Sequence, residues 1–378
     1  MEESRLVEVF KWLHRHPELA MEERRTTEYI RSILAEKGVR LLDTGLDTGL
    51  LAVLGAGSPT VALRADMDAL PIWEAIGLPY ASETPGVMHA CGHDFHTACM
   101  LGAVLLLKER ENQLPGTVKV IFQPAEEVNH GAAMMVATGL LDDVRIFLSG
   151  HTYPWYPAGT LGIRPGPVMA AADRFCIRIR GKGCHAAHPE HGVDPIPAMA
   201  AIISAVQTII SRRTNPFDSA VVSIARVEAG STWNVIPETA VMEGTVRAMT
   251  PAVREGIRRS LEKLAADTAS AFGCEAETAY ERGPDPVVND RDVCERAEAE
   301  ARRLGLNVEI NPPTMIAEDF GEYLKLAPGA MLRIGTGGGY DNHHPAFTAD
   351  PAALYPTARF FAALAEKELI HCIEKEKG

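Results

Sequence analysis

The segment His89-Ala90-Cys91-Gly92-His93-Asp94 places a thiol and imidazoles within a few residues of one another, and further along come the consecutive acids Glu126 and Glu127. In extended backbone, residues two apart point to the same side, so Cys91 and His93 are expected to serve one metal site. Thiolate, imidazole and carboxylate form a mixed donor set that suits Zn²⁺ and is open to Mn²⁺, Co²⁺ and Ni²⁺. Two adjacent carboxylates are costly to bury unless a positive charge neutralises them, and a metal pair supplies that charge. One Glu would then bind metal while its neighbour acts as general base toward water, the division of labour of metal-assisted hydrolysis. The residues alone leave open which Glu does which. With His151 and His343, five or more ligands are available, which points to two ions sharing a bridge.

Such residues need elements that converge. Asp66 and Asp68 follow the apolar run Thr60 to Leu63, Glu126 and Glu127 follow Val118 to Phe122, and His151 follows the run Arg145 to Leu148. His343 follows Met331 to Ile334 by a Gly-rich loop. In open α/β sheets ligands bind outside the carboxyl ends of the strands, so these segments should share one cleft. Helical patterns alternate with the strand runs: Leu6, Val9, Phe10 and Leu13 on one face, then Thr26 to Lys37, Thr97 to Lys108 and Val293 to Leu304. The fold class expected is therefore α/β, with a mostly parallel sheet and helices on both faces.

Near Arg174 the rhythm changes. Phe175, Ile177 and Ile179 alternate with polar neighbours, as in a half-exposed strand. A helix from Ile196 to Ser211, strands at Ala220 to Val227 and Ala240 to Arg247, a helix from Ala252 to Ala271 and a strand at Glu275 to Tyr280 complete a β-α-β-β-α-β order, that of a ferredoxin-like domain. The expected organisation is a catalytic domain over 1–173 and 285–378, with an inserted lid over 174–284.

At 378 residues, two domains are the default expectation. A formal net charge of −13 argues against nucleic acid or an anionic membrane surface as partner. Seven scattered cysteines without a C-x-x-C pair argue against a disulfide framework and suit a reducing compartment. No apolar run approaches the roughly 18 to 20 residues of a membrane span, and no signal-like start is present, so a cytoplasmic location is expected.

Eight short segments occur in order between His14 and Pro345: H-R-H-P-E-L, A-L-R-A-D-M-D-A-L-P-I, H-A-C-G-H-D, F-Q-P-A-E-E, G-K-G-C-H-A-A-x-P, N-V-I-P, A-E-D-F and H-H-P. Jointly they resemble the aminoacylase/carboxypeptidase family of metallohydrolases, in the amidohydrolase branch with auxin-conjugate hydrolases, hippurate hydrolases and N-acetyl-diaminopimelate deacetylases. The resemblance implies that Cys91 bridges two divalent ions, with His93, Glu127, His151 and His343 completing the sites and Glu126 as general base and proton shuttle. It makes Asp68 the acid that orients a ligand or tunes the thiolate. It gives His185 the polarisation of the scissile carbonyl, from its own subunit or across a dimer interface, and Asn234 a hold on the substrate carboxylate. The family-wide pattern has His at the place of Asp66 and a bridging Asp near Cys91, and many relatives have Gly at Cys184; this chain departs at all three. The implied reaction is hydrolysis of a small N-acyl amino acid, and the inserted domain resembles a dimerisation lid.

Plainer readings stand beside these. Cys91 could be a small core residue or a nucleophile paired with His93. His14 and His16 read as structural, His89 and His96 as packing or supporting residues, His188 and His191 as solvent-exposed. Between His343 and His344 the reading stays open: the family pattern H-x-P selects the first, while proximity to Pro345 favours neither. Arg247 reads equally as a lid salt-bridge residue or a carboxylate clamp, and Glu318 and Asp319 either cap a helix or line the site. A dipeptidase or carboxypeptidase on the same scaffold is the first rival function. A non-catalytic binding protein is the second, which retention of Glu126 with every ligand disfavours.

Overall fold

The computed structural model describes residues 3–377. The chain divides into two compact units: one holds the sequence up to Gly166 together with Val288–Pro312 and the part from Asp319 onward, the other Pro167–Val287 and Pro313–Glu318. The second unit is thus somewhat larger than the 174–284 insertion read from sequence, and it includes a short return segment from later in the chain.

The first unit is built on an eight-stranded sheet, in spatial order Arg40–Leu42, Leu50–Gly55, Thr117–Gln123, Thr60–Asp66, Val144–Tyr153, Gly329–Gly335, Leu161–Ile163 and Val308–Ile310. The four middle strands run parallel to one another, while the pairs toward each margin include antiparallel ones. The middle strands are buried along nearly their whole length, which is why they read as continuous apolar runs rather than alternating ones.

On one face, Val61, Leu63, Val118, Val120, Phe122, Ile146 and Leu148 join a single core with the helices Glu3–Arg15, His93–Lys108 and Leu354–Lys377. Helix His93–Lys108 is apolar almost all round because it is wrapped by its neighbours. Gly102 permits the close approach: a Cβ there would lie 2.8 Å from Cβ of Ala358 and 3.1 Å from Leu6. On the opposite face Phe147 stacks on Tyr323 of the 3₁₀ turn Asp319–Lys325, with centroids 5.3 Å apart. Both faces are covered, as the near-continuous apolar strands require.

The second unit has an antiparallel sheet ordered Ala220–Ala229, Thr239–Ala248, Ala171–Arg180, Glu275–Glu281, with helices Pro195–Thr208 and Pro251–Ala271 against it. Its core joins Phe175, Ile177 and Ile179 to Ala198, Ile202, Val206, Ile257 and Leu261, so the expected β-α-β-β-α-β order is realised. Helix starts are set by Asp194 accepting from the Ile196 amide and Thr250 accepting from the Val253 amide, each followed by proline. Behind the sheet, buried Asp173 accepts from Arg254 Nε at 2.8 Å and from the Tyr280 hydroxyl at 2.6 Å, tying helix and outer strand to one carboxylate.

One expectation needs correction here. Among the described residues Pro195–Arg213 is long and apolar enough, by length and composition, to span a bilayer. Its apolar face, Ala198, Ile202, Val206 and Ile209, is instead spent on the core of this unit.

Candidate metal centre

The ends of the four parallel strands position the polar residues of the first unit. Asp66 closes its strand in register with Gln123 of the next. His151 sits inside its strand opposite Arg333 rather than after it, because that strand extends to Tyr153. Glu126 and Glu127 follow Thr117–Gln123 through Pro124 and Ala125, and Ala125 takes a positive φ of 55°. His343, at φ 66°, is fixed by its amide donating to the Ala90 carbonyl at 2.8 Å.

Cys91 and His93 do converge, though not by extended backbone. Gly92 is left-handed at φ 84° and caps the helix that begins with His93 itself. Only glycine suits that position, since a Cβ would meet the Thr152 side chain at 2.7 Å. The helix starts earlier than the Thr97 expected from its apolar pattern, and its first residue is the candidate ligand His93.

Cys91 Sγ lies 3.5 Å from His151 Nε2. His93 Nε2 is 3.8 Å from Glu127 Oε1 and 3.9 Å from Glu126 Oε2, and His343 Nε2 is 3.4 Å from Glu127 Oε2. The donors fall into two triads that share Cys91: Cys91, His93 and His151, and Cys91, Glu127 and His343, each with all donor atoms within 4.8 Å of one another. Two protein atoms that bind one ion at about 2.0–2.3 Å must lie no more than about 4–4.6 Å apart, so these separations fit shared ions. His93 Nε2 and Glu127 Oε1 are buried without a hydrogen-bond partner, although such atoms rarely stay unsatisfied. A divalent cation at each atom would supply what is missing, so the donor set fits the metal pair.

Supporting hydrogen bonds fix the tautomers. Asp68 Oδ1 lies 3.2 Å from His93 Nδ1 and its Oδ2 accepts from the Glu127 amide at 2.9 Å. In the neutral ring the proton of His93 therefore sits on Nδ1 and the lone pair of Nε2 faces the glutamates, the usual arrangement for a ligating histidine. His151 Nδ1 lies 3.0 Å from the Thr152 carbonyl, which leaves Nε2 bare toward Cys91. His96 is different: its Nε2 accepts from the Thr152 amide at 2.8 Å while Nδ1 pairs with Asp66 Oδ1 at 2.5 Å. Both its nitrogens are used, so His96 is a supporting residue and not a ligand.

Behind Asp66 lies a fully buried cation. Arg64 donates to Asp66 Oδ2 at 2.6 Å, to Gln123 Oε1 at 2.8 Å and to Asp319 Oδ1 at 2.8 Å. Asp319 also accepts from Gln123 Nε2 and the Ala132 amide. It thus ties Arg64 and Gln123 of two neighbouring strands to the start of the helix Gly131–Ala137. Asn342 donates to the Cys91 carbonyl at 3.1 Å and Thr152 Oγ1 at 3.2 Å, and buried Glu23 accepts from the Ala125 amide at 2.8 Å. Sequence reasoning passed over Arg64, Gln123, Asn342 and Glu23. A charged residue inside an apolar strand, as in A-L-R-A-D, was the available signal.

Burial, and then the Glu127 carboxylate, push the Cys91 thiol well above its usual range. Burial opposes protonation of His93, yet Asp66 and its other neighbours raise it well above the ordinary value. Burial would raise Asp66 too, but His93, His96 and Arg64 hold it well below the carboxylate range. For His151 burial, reinforced by His96 and Arg333, lowers the pKa well below the usual value and leaves a neutral imidazole. His89 is buried with both ring nitrogens unpartnered, and burial lowers it to about 4. His14 is not a site residue: it bridges Asp94 at 2.7 Å and Glu74 at 3.4 Å.

His344 is likewise structural, its Nδ1 accepting from the Ala346 amide at 3.0 Å and its ring stacked on Tyr340. In the second unit a two-stranded ladder pairs Val235 with His185, so Asn234 and His185 are neighbours; the Ala186 amide donates to the Asn234 carbonyl at 3.1 Å. His185 Nδ1 accepts from the Ala187 amide at 3.0 Å, which puts the proton of the neutral ring on Nε2. Arg247 is partly buried and has no carboxylate partner among the described residues, contrary to its salt-bridge reading.

Residues 62–367 match the model of peptidase family M20/M25/M40. The chain is 43% identical over 377 residues to an N-acetyl-L-cysteine deacetylase of Bacillus subtilis, covering 99% of this chain and 90% of that protein. It is 34% identical to thermostable carboxypeptidase 1 of Saccharolobus solfataricus, over 97% of this chain and 95% of the other. The crystal structure of Bacillus subtilis YXEP protein, described as a dinuclear metal-binding peptidase of the M20 family, superposes with a TM-score of 0.89 at 41% identity, covering 97% and 98% of the two chains.

Proposed function

Since the chain belongs to peptidase family M20/M25/M40 and is a hydrolase, we propose that it cleaves the amide bond of N-acyl amino acids, with N-acetyl as the acyl group, releasing a carboxylate and a free amino acid. The observation that carries the reading is the buried, unsatisfied pair His93 Nε2 and Glu127 Oε1, 3.8 Å apart, with Glu126 beside them. Cys91, His93, Glu127, His151 and His343 would hold two divalent ions, of Zn²⁺, Mn²⁺, Co²⁺ or Ni²⁺, with the shared Cys91 as bridge. When bound, such ions supply Lewis acidity and bring the pKa of water toward neutrality.

The residues do the rest. Asp68 keeps His93 in its ligating tautomer. Glu126, nine-tenths buried and next in sequence to a ligand, takes the proton of the attacking water as the oxygen bonds to the acyl carbon. It then returns that proton to the amine nitrogen as the C–N bond breaks, so the cycle ends with Glu126 ionised. Nε2–H of His185 is a donor suited to the carbonyl oxygen as charge develops there. Arg247, which has no carboxylate partner among the described residues, and Asn234 suit the free carboxylate of the amino acid. The carboxypeptidase relative favours a second reading, peptide cleavage by the same chemistry. Pairing of the exposed strand Ala220–Ala229 with its copy would give a homodimer. Seven unpaired cysteines suit the cytoplasm.

The test is release of free amine from N-acetyl, N-benzoyl and dipeptide substrates by chelator-stripped protein given back each of the four metals. Metal-dependent release from acylated amino acids supports the proposal. Cleavage of dipeptides alone moves the activity to the second reading, and no turnover with any metal refutes both.

A further inference from the structure

The segment Cys184–Gly192 reads C-H-A-A-H-P-E-H-G, and of its donors only His185 has a part in the proposed reaction. Three others converge. Glu190 Oε1 lies 3.4 Å from His188 Nδ1 and 3.7 Å from His191 Nε2, and the three donor atoms all lie within 4.8 Å of one another. Those separations match the 3.4 to 3.9 Å found between the donors of the metal centre.

The backbone holds the group in place. Pro189 opens the 3₁₀ turn Pro189–His191, whose ends are tied by the His191 amide donating to the His188 carbonyl and the Gly192 amide donating to the Pro189 carbonyl. The two imidazoles stack with centroids 5.5 Å apart at 19°. Gly192 is packed against Cys184, where a Cβ would lie 2.5 Å from the sulfur, so the loop closes on itself. Among the described residues no lysine or arginine pairs with Glu190, and the two imidazoles are its ion-pair partners. Two imidazoles and one carboxylate with open coordination positions are a donor set for a zinc-like ion, and Glu190 offsets part of its charge.

We infer that His188, Glu190 and His191 form a further, inhibitory site for a divalent transition-metal ion, distinct from the metal centre and read out through His185. The coupling is local. The His188 amide donates to the His185 carbonyl at 2.8 Å, and the two rings lie 5.9 Å apart. Drawing His188 onto an ion shifts the turn that presents His185 Nε2–H. All three ligand side chains are more than 60% exposed, so the site exchanges with free metal in bulk solvent. Metal in excess of the catalytic requirement therefore slows turnover without displacing the catalytic ions. The inhibitory part rests on the carbonyl-polarising role proposed for His185; the binding part does not.

The experiment uses tag-free holoenzyme and a double variant, His188→Ala with His191→Ala, titrated with Zn²⁺ alone. Calorimetry and metal analysis after gel filtration give the stoichiometry, and amine release gives the rate. The expected result is one further Zn²⁺ per wild-type chain, absent from the variant. The variant keeps its basal rate, while its half-inhibiting Zn²⁺ concentration rises by about tenfold or more, the least expected when a metal site loses ligands rather than their supporting partners. No further ion in the wild type, or equal uptake by the variant, overturns the site. Equal inhibition of both proteins despite a lost ion overturns the coupling. Should no substrate be hydrolysed, the stoichiometry still decides, so failure of the proposed reaction and failure of this site are separate results.

Discussion

Asp68→Asn is the sharpest perturbation the metal centre offers, because it keeps the size of the side chain and removes one acceptor. Asp68 faces two donors: His93 Nδ1 at 3.2 Å and the Glu127 amide at 2.9 Å. An asparagine has a single carbonyl oxygen. If that oxygen stays with the Glu127 amide, the NH₂ group meets His93 Nδ1, which must become an acceptor and send its proton to Nε2, the atom needed for metal. If it stays with His93, the NH₂ group opposes the Glu127 amide and the Glu127 backbone shifts. Either route weakens a ligand. Loss of such a supporting partner costs roughly 10–100-fold in metal affinity, or about 1.4–2.8 kcal/mol. Competition between apo protein and a chromophoric chelator measures it directly, and kcat at saturating metal should recover much of the wild-type value. Unchanged metal affinity, or a kcat that stays depressed at saturating metal with wild-type affinity, would refute the orienting role.

Glu126→Gln should retain its metal while kcat falls by about 10²–10⁴, the usual contribution of a positioned general base; metal analysis beside steady-state kinetics checks it, and near-normal turnover would remove Glu126 from the mechanism. Arg64→Met leaves Asp66 and Asp319 buried without their cation, so urea unfolding should show a loss of about 3–5 kcal/mol, with an unchanged midpoint as the contrary result. His14 is held between Asp94 and Glu74 and, against its burial, is raised from 6.5 to about 9. The folded state thus favours its protonation; that stabilisation is complete below pH 6.5 and disappears as pH rises through about 9. His14→Gln should accordingly lower Tm most below pH 6.5, with the gap to wild type narrowing at alkaline pH; a gap independent of pH would show that His14 acts by packing alone.

The candidate donors were legible as a group because their chemistry is written in residue type: a thiol, histidines and paired acids at the ends of apolar runs have few other uses, and the structure brings them together in triads within 4.8 Å. The strands were legible for a related reason, since only strands buried on both faces read as Val61 to Leu63 or Val118 to Phe122 do. Illegible were the partners that make the ligands work. Arg64 and Asp319 are 255 residues apart in sequence, and Asn342 reaches Cys91 across 251. Nothing local marks either pair. The Cys91–His93 convergence was expected for a reason that does not hold, since the side chains meet through a left-handed Gly92 at a helix start, not along a strand.

Backbone geometry supplies the other part that sequence hides. Among the described residues four non-glycine residues have positive φ, and three of them, Ala125, Asn129 and His343, flank or belong to the candidate metal centre. Such conformations cost of order 1 kcal/mol or more each and persist only where the surroundings over-determine them. Here the surroundings are visible. Glu23 holds the Ala125 amide, the Asn129 amide donates to the Glu126 carbonyl at 2.6 Å, and the Ala90 carbonyl holds the amide of His343. Ala125 and His343 are thus pinned by distant segments and Asn129 by its own turn, so the loop carrying His343 and the segment carrying Cys91 are tied together while the turn carrying the proposed base is held by Glu23. A side chain chosen for chemistry fixes what the site can do, while these local strains fix where its atoms stand, and only the first leaves a mark in residue type.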